Sequence, residues 1–201
     1  MQELLFATQN VSKVKRFSDG LLKRGIKLIP LADKNVDVNI DENGKTAIEN
    51  ALIKACEVSK VVDIPVLAMD DSLYLDGVPD SLQPGLYVRR VNGKRLSDEE
   101  MIDYYSALAD KYGKNGRLTC KWIYGMALVD NGKESTYTWS KTEFYMVAKR
   151  TDKINPGYPL NSISINKKLN KYFTDITEED KKLIEEDESH VIDFILNSLK
   201  R

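Results

Sequence analysis

Leu4-Leu5-Phe6-Ala7 is a short apolar run that stops at Thr8-Gln9-Asn10, the pattern of a buried strand opening into a loop. Val14, Phe17, Leu21 and Leu22 then fall at spacings of three, four and one, which predicts an amphipathic helix closed by Gly25. Residues 27–30 predict a second strand, and 36–44 is a polar, acidic loop. A second helix is predicted over 46–61, with Ile48, Leu52, Ala55 and Val58 or Ser59 on one face. Pro65-Val66-Leu67-Ala68-Met69 predicts a buried strand that runs into Asp70-Asp71-Ser72.

Residues 73–92 hold Gly77, Pro79, Pro84 and Gly85 and predict mostly turn and loop. Ser97-Asp98-Glu99-Glu100 has a capping serine with a glutamate three residues on, so a helix should start there and reach Tyr112, before Gly113. Residues 118–129 and 135–148 are rich in Thr, Tyr, Trp and Val around Asp130-Asn131-Gly132-Lys133, which predicts a long hairpin. Residues 155–165 predict a loop leading into a short strand. The tail predicts helix in two pieces, its last apolar face formed by Val191, Phe194, Ile195 and Leu199. The pattern is mixed α/β without an internal repeat, a low-complexity linker or a clear domain boundary.

Composition narrows the function. A chain of 201 residues that is 42% hydrophobic can bury a real core as one domain, with or without two lobes. Its 30 Lys+Arg against 31 Asp+Glu give a net charge of −1, against a protein that wraps duplex nucleic acid. Cys56 and Cys120 cannot build a disulfide framework or a four-thiolate zinc site, and the lone His190 excludes a metal site made of several imidazoles. The acidic start Met1-Gln2-Glu3 lacks the pattern of a signal peptide, and no apolar window nears the roughly 18–20 residues needed to cross a bilayer. The expectation is a soluble cytoplasmic protein with no membrane partner.

Three constellations could carry chemistry. Thr8-Gln9-Asn10-Val11-Ser12-Lys13 joins a buried strand to a helix start, where free N–H groups and a partial positive charge suit a phosphate. Hydroxyl, amide and ammonium groups complete such a cradle, and a capped helix start with a solvated lysine is the alternative. Met69-Asp70-Asp71-Ser72 puts two carboxylates after an apolar strand, costly unless they face a cleft, pair with cations or hold a metal. Extended backbone points the two in different directions, so one could bind magnesium while the other caps a turn. An Asp-rich turn without a ligand is the alternative there. Asp41-Glu42-Asn43-Gly44, leading through Thr46 to Glu49 and Asn50, alone reads as a solvated cap. It gains weight because magnesium on phosphate substrates draws carboxylates from separate segments. Together the three point to a hydrolase of a nucleotide or other phosphoester.

The same residues occur in a known order. Phe6-Ala7-Thr8-x-Asn10-x-x-Lys13, Glu42-x-Gly44-x-Thr46-x-x-Glu49-Asn50-Ala51, Ala68-x-Asp70-Asp71-Ser72 and Pro84-Gly85-x-Tyr87 resemble the inosine triphosphate pyrophosphatase family. That family cleaves non-standard purine nucleoside triphosphates to the monophosphate and pyrophosphate. The resemblance is dense over residues 1–90 and thin afterwards.

What the resemblance implies is concrete. The fold would be a long mixed central sheet flanked by helices, in two lobes with a nucleotide cleft between them, in a homodimer. Thr8, Asn10 and Lys13 would hold the triphosphate, and Glu42 and Asp71 would engage Mg2+, with Mn2+ as a substitute. Asp71 would also activate the attacking water, Ser72 would position the substrate, and Asp70 would be a supporting carboxylate. Lys13 and Asp71 are thus the implied catalytic pair.

The departures from the family pattern are as specific as the matches. Leu73 stands where the family has glycine after Asp71-Ser72. The base-binding Phe-Gly-Tyr-Asp-Pro survives only as Pro156-Gly157-Tyr158-Pro159, leaving Tyr158 for stacking. A lysine four residues before Ser-His-Arg is replaced by Glu185, and the motif itself reads Ser189-His190-Val191, without the arginine that would read the purine carbonyl. Lys181 or Lys182 could substitute for the lysine. Residues 175–188 carry eight acidic residues against two lysines, read as a solvated helix face. His190 could contact the nucleotide or serve only in packing or capping. The implied activity is a magnesium-dependent nucleoside triphosphate pyrophosphatase with altered or relaxed base specificity. The alternatives are a catalytically weak nucleotide-binding relative, or a hydrolase for a modified pyrimidine or deoxynucleoside triphosphate.

Overall fold

The computed structural model describes residues 1–34, 36, 38–155 and 157–200, with Ser12 as backbone only. In chain order the elements are β1 (Gln2–Phe6), α1 (Val11–Leu22), β2 (Ile26–Pro30), α2 (Ala47–Ser59), β3 (Val66–Leu75), β4 (Arg90–Val91) and β5 (Lys94–Arg95). There follow α3 (Asp98–Tyr112), β6 (Leu118–Asp130), β7 (Lys133–Ser140), β8 (Phe144–Met146), β9 (Ser164–Asn166), β10 (Lys171–Tyr172), α4 (Glu178–Ile184) and α5 (Ser189–Leu199). The main sheet runs β10-β9-β8-β6-β3-β1-β2, with β7 on β6, and β4 and β5 form a separate two-stranded ribbon. β1 is parallel to β2 and β3, whereas β6, β8, β9 and β10 pair antiparallel, so the fold is mixed α/β around a mixed sheet flanked by helices.

The chain divides into two compact units, Met1–Asp71 with Tyr124–Trp139 and Asp187–Arg201, and Ser72–Ile123 with Ser140–Glu186. In the first, Leu4, Leu5 and Phe6 are fully buried, each worth about 2 kcal/mol of transfer free energy. Small residues set the approach of α2: Ala51, Ala55, Ala68 and Ala127 share one core, and a Cβ on Gly125 would lie 2.2 Å from the Ile48 nitrogen. Only glycine lets helix and strand backbones come that close.

In the second unit Leu73, Leu75, Met101, Ile102, Tyr105, Leu118, Phe144 and Met146 form the core. The Tyr105 hydroxyl donates to the Val88 carbonyl at 2.9 Å, which satisfies its polar end inside that core. α3 starts at the predicted Ser97–Glu100 capping box and ends at Tyr112.

Two boundaries differ from the sequence reading. β3 does not stop at Met69 but continues to Leu75, so Asp70 and Asp71 lie within the strand. The reason is Leu73 and Leu75, both buried, which keep the second half of the strand anchored despite the polar break between. The predicted strand over 135–148 is two strands, β7 and β8, separated at 141–143. The turn between β6 and β7 uses Asn131 and Gly132 at φ of 49° and 76°, the left-handed pair that favours a tight hairpin. The tail forms α4 and α5, with Val191 and Ile195 fully buried.

Candidate active site

In the first unit, the polar run after β1 builds the start of α1. The Asn10 backbone N–H donates to Thr8 Oγ1 at 3.1 Å, and the Lys13 N–H reaches the Asn10 carbonyl at 3.0 Å and Oδ1 at 3.4 Å. Thr8 and Asn10 therefore shape the loop and cap the helix. The Lys13 side chain is not solvated: its ammonium forms an ion pair with Asp71, and only 21% of the side chain is exposed.

Alternation along β3 separates the two aspartates, as expected for extended backbone. Asp70 Oδ1 accepts the Asp71 backbone N–H at 3.0 Å. Asp70 Oδ2 lies 3.5 Å from Lys54 Nζ, which is also 3.4 Å from Glu42 Oε2. Three carboxylates are thus tied to two lysines, Asp71 to Lys13, and Asp70 with Glu42 to Lys54.

A clamp on the start of α2 holds the loop that carries Glu42. The Gly44 N–H donates to Asn50 Oδ1 at 2.8 Å, and a Cβ on Gly44 would lie 2.6 Å from that oxygen. Thr46 Oγ1 accepts the Glu49 N–H at 3.3 Å, and Glu49 Oε2 accepts the Lys45 N–H at 2.7 Å. Gly44, Thr46, Glu49 and the buried Asn50 thereby fix the loop at both ends of the turn, and Glu42 projects from it.

The donor chemistry fits magnesium. Hard carboxylate oxygens come from two segments, Glu42 on the loop and Asp70 and Asp71 on β3. Magnesium carried on a polyphosphate is held by few carboxylates and by the substrate's own oxygens. Among the described residues no three Asp, Glu, His or Cys side chains gather into an all-protein cage. Lys13 and Lys54, in turn, offset the carboxylates' mutual repulsion.

The remaining predicted residues have contacts of their own. His190, at the start of α5, is exposed, and its Nδ1 lies 3.0 Å from the Tyr137 hydroxyl. Val191, which stands where the resemblance has arginine, is fully buried. In the second unit the Ser72 hydroxyl donates to the Ile123 carbonyl at 3.4 Å, and Leu73 packs into the core instead of opening the backbone. Tyr158 is exposed and precedes the 3-10 turn Pro159–Ser162, while Pro156 lies outside the described residues. Lys181 pairs with Glu178 on α4 at 2.5 Å, Lys182 is exposed, and Glu185 is the C-cap of that helix.

Two residues escaped the sequence reading. Lys54 is only 12% exposed although charged, and its signal is a lysine interrupting the apolar face of Ala51, Ala55 and Val58. Arg16 lies one turn after Lys13 on α1 and grips the Glu188 carboxylate through Nε at 2.8 Å and through Nη2. Its guanidinium carbon stands 4.6 Å from the Tyr124 ring centroid. Burial disfavours the Arg16 charge, but the Glu188 carboxylate outweighs it and the pKa is raised. Burial pushes the Tyr124 hydroxyl up as well, and the charges of Asp71 and Glu188 add to that shift.

The model of the Ham1 family matches residues 4–188. The chain belongs to the Ham1 family. The match extends well past the segment where the motifs are dense. A dITP/XTP pyrophosphatase of Leptospira interrogans is 30% identical over 200 residues, 99% of this chain and 98% of that protein. One from Bacillus subtilis is 30% identical over 92% of this chain and 90% of its own length. Among solved structures, the Staphylococcus aureus Ham1 protein aligns with a TM-score of 0.73 at 21% identity, covering 99% and 98% of the two chains. A HAM1 protein from Coxiella burnetii gives a TM-score of 0.73 at 25% identity, over 92% of this chain and 91% of that one. The Ham1 fold is therefore common to chains that share only a fifth to a quarter of their residues.

Proposed function

We propose that this Ham1-family chain is a magnesium-dependent pyrophosphohydrolase that cleaves a non-standard purine nucleoside triphosphate to the monophosphate and pyrophosphate. The observation that carries the reading is the pairing of Lys13 with Asp71 beside the Lys54-bound carboxylates Asp70 and Glu42. A cation for polyphosphate and a carboxylate for water stand together there, in a family whose named relatives are dITP/XTP pyrophosphatases.

Glu42 and Asp71 would hold the magnesium ion, with Asp70 in support. When bound, the ion supplies charge neutralisation across the polyphosphate. Thr8 and Asn10 shape the phosphate loop, and Lys13 turns its ammonium from Asp71 towards the phosphate oxygens and offsets the charge on departing pyrophosphate. Asp71 accepts the proton of a water that attacks the α-phosphorus, and the bond from the α-phosphorus to the bridging oxygen breaks. Lys54 holds Asp70 and Glu42 in place through the cycle. Ser72, Tyr158 and His190 are the further substrate contacts of this reading, and the working form is a cytoplasmic homodimer. Val191 and Pro159 stand where the family's base-reading groups would be, so base recognition is altered.

The test is a pyrophosphate-release screen over standard, deaminated and modified nucleoside triphosphates, with magnesium or manganese and with chelator. Release from a deaminated purine triphosphate, lost with chelator, is the expected result. Tight nucleotide binding without product over a long incubation would instead identify a nucleotide sensor.

A further inference from the structure

Arg89, Arg90, Lys94 and Arg95 put four cations on and beside the two-stranded ribbon of β4 and β5. Its turn is Asn92-Gly93, at φ of 50° and 78°, the left-handed pair of a tight two-residue hairpin. The register sets Val91 opposite Lys94 and Arg90 opposite Arg95. The Leu96 N–H donates to the Arg89 carbonyl at 2.8 Å, which makes Arg89 and Leu96 a hydrogen-bonded pair. Pair types alternate along an antiparallel ladder, so Arg90 and Arg95 are of the non-hydrogen-bonded kind, whose Cα atoms stand only about 4.5 Å apart.

The two faces of the ribbon differ in charge compensation. Leu96 packs against the core that α3 helps to build, Arg89 reaches Asp98 Oδ1 at 2.7 Å, and Lys94 pairs with Glu100. These side chains share one face, and each cation on it has a carboxylate from the start of α3. Arg90 and Arg95 share the other face. Both are exposed, and neither side chain has a hydrogen bond, an ion pair or a ring contact among the described residues. Like charges directly opposite each other destabilise a sheet. Charged residues do guard exposed strands against pairing with other chains, but one cation or a mixed pair does so without repulsion. A local rule broken without compensation points to a function for the pair.

We propose that Arg90 and Arg95 form an anion site that takes pyrophosphate. Each guanidinium presents a planar fork of N–H donors that matches one phosphoryl group. Two forks side by side match two phosphoryl groups joined by one bridging oxygen, and the charge of the anion cancels the cross-strand repulsion. A single carboxylate compensates one guanidinium and leaves the other. The ribbon is already ordered at its base, where the Arg90 N–H donates to the Tyr87 carbonyl at 2.8 Å and the Tyr105 hydroxyl donates to the Val88 carbonyl at 2.9 Å. Binding then has little backbone left to fix.

The choice of pyrophosphate rests on the pyrophosphohydrolase reading, which releases it, and the experiment separates the two. The isotope-labelled chain, Arg90→Gln and Arg95→Gln are titrated with sodium pyrophosphate, without divalent metal and at constant ionic strength, while NMR follows the backbone amide and arginine Nε–H resonances. The unaltered chain should show saturable shifts over residues 90–95, with an apparent Kd that weakens at least fivefold in either variant. Sodium sulfate, with one tetrahedral group, should bind at least fivefold more weakly than pyrophosphate. Without the anion, both variants should melt at or above the temperature of the unaltered chain, because the repulsion is relieved. Ribbon shifts that stay linear in pyrophosphate, or that saturate with the same Kd in both variants, overturn the proposal, as does an equal response to sulfate. Shifts confined to residues 8–13 overturn it too, and leave the functional reading standing. Saturable ribbon shifts in a chain that releases pyrophosphate from no triphosphate uphold the anion site and end the functional reading.

Discussion

Lys13 and Asp71 stand 58 residues apart in the chain, and their side chains form a half-buried ion pair. The helix start brings the ammonium and the middle of a strand brings the carboxylate, so both sit on regular backbone. Groups held this way need little reorganisation before reaction.

Acting as a unit, the two should not behave additively. Asp71→Asn should lower kcat for pyrophosphate release by roughly 10²–10⁴-fold, the usual loss for a missing base. Lys13→Gln should cost about 10²-fold, and the double variant should lie within about tenfold of the worse single one. Steady-state kinetics with melting curves as a folding control measure this; near-normal turnover in Asp71→Asn would falsify the assignment of the base.

Lys54 compensates two carboxylates at once, so its removal should be felt in stability and in metal response. Lys54→Met leaves Asp70 and Glu42 facing each other and should cost about 2 kcal/mol, lowering the melting temperature by roughly 4–8 °C. Millimolar magnesium should raise the melting temperature of Lys54→Met more than that of the unaltered chain, because the freed oxygens then suit the ion. Equal shifts in both proteins, measured by differential scanning fluorimetry, would argue against magnesium at these carboxylates.

Local signals carried far in this sequence. The Ser97–Glu100 box, the Asn131-Gly132 turn and the apolar spacing of α1 each depend on neighbours a few residues away, and the structure has them where the sequence put them. The split of Asp70 from Asp71 follows from strand alternation once β3 runs through both residues. What was not legible depends on contacts distant in sequence. β3 outruns its apolar segment because Leu73 and Leu75 meet a core made mostly by α3, β6 and β8. Arg16 and Glu188 are 172 residues apart, and no spacing rule joins them. Lys54 meets Glu42, 12 residues before it, and Asp70, which lies on another element, and no helical spacing announces either contact.

Leu73 illustrates how a departure from a family pattern can be structural. With 2% exposure it belongs to the core of its unit, and its backbone N–H donates to the Gly85 carbonyl at 2.9 Å. Leu73→Ala should destabilise by about 3 kcal/mol through lost burial and a residual cavity. Chemical denaturation reads this as a shift of midpoint with unchanged slope. A cost below about 1 kcal/mol would mean that the site collapses around the smaller side chain.

Gly125 sets how closely α2 lies on β6. An added methyl would meet backbone on the helix side, 2.2 Å from the Ile48 nitrogen and 2.4 Å from the Ala47 carbonyl carbon, and no side-chain rotation relieves that. Gly125→Ala should therefore cost about 3 kcal/mol, at the upper end of overpacking, and lower the melting temperature by roughly 6–12 °C. Because α2 also carries Lys54 and the Glu42 clamp, pyrophosphate release at a permissive temperature should fall too. A variant as stable as the parent would show that helix and strand can part without loss.

Glu100 makes a pH dependence that can be assigned to one group. Its carboxylate pairs with Lys94 and accepts the Ser97 backbone N–H at 2.8 Å, and together these lower its pKa from 4.5 to about 2. A carboxylate whose folded-state pKa is depressed binds protons more readily when unfolded, so it contributes stability at neutral pH. That contribution is complete above about pH 4.5 and is lost as pH falls through the folded value near 2. Melting temperatures of the parent and Glu100→Gln, taken between neutral pH and pH 2, isolate it. The parent should be the more stable above pH 4.5, and the difference should shrink steadily below it as the box loses its charged partner. A difference that stays constant across the window would place the role of Glu100 in packing and not in charge.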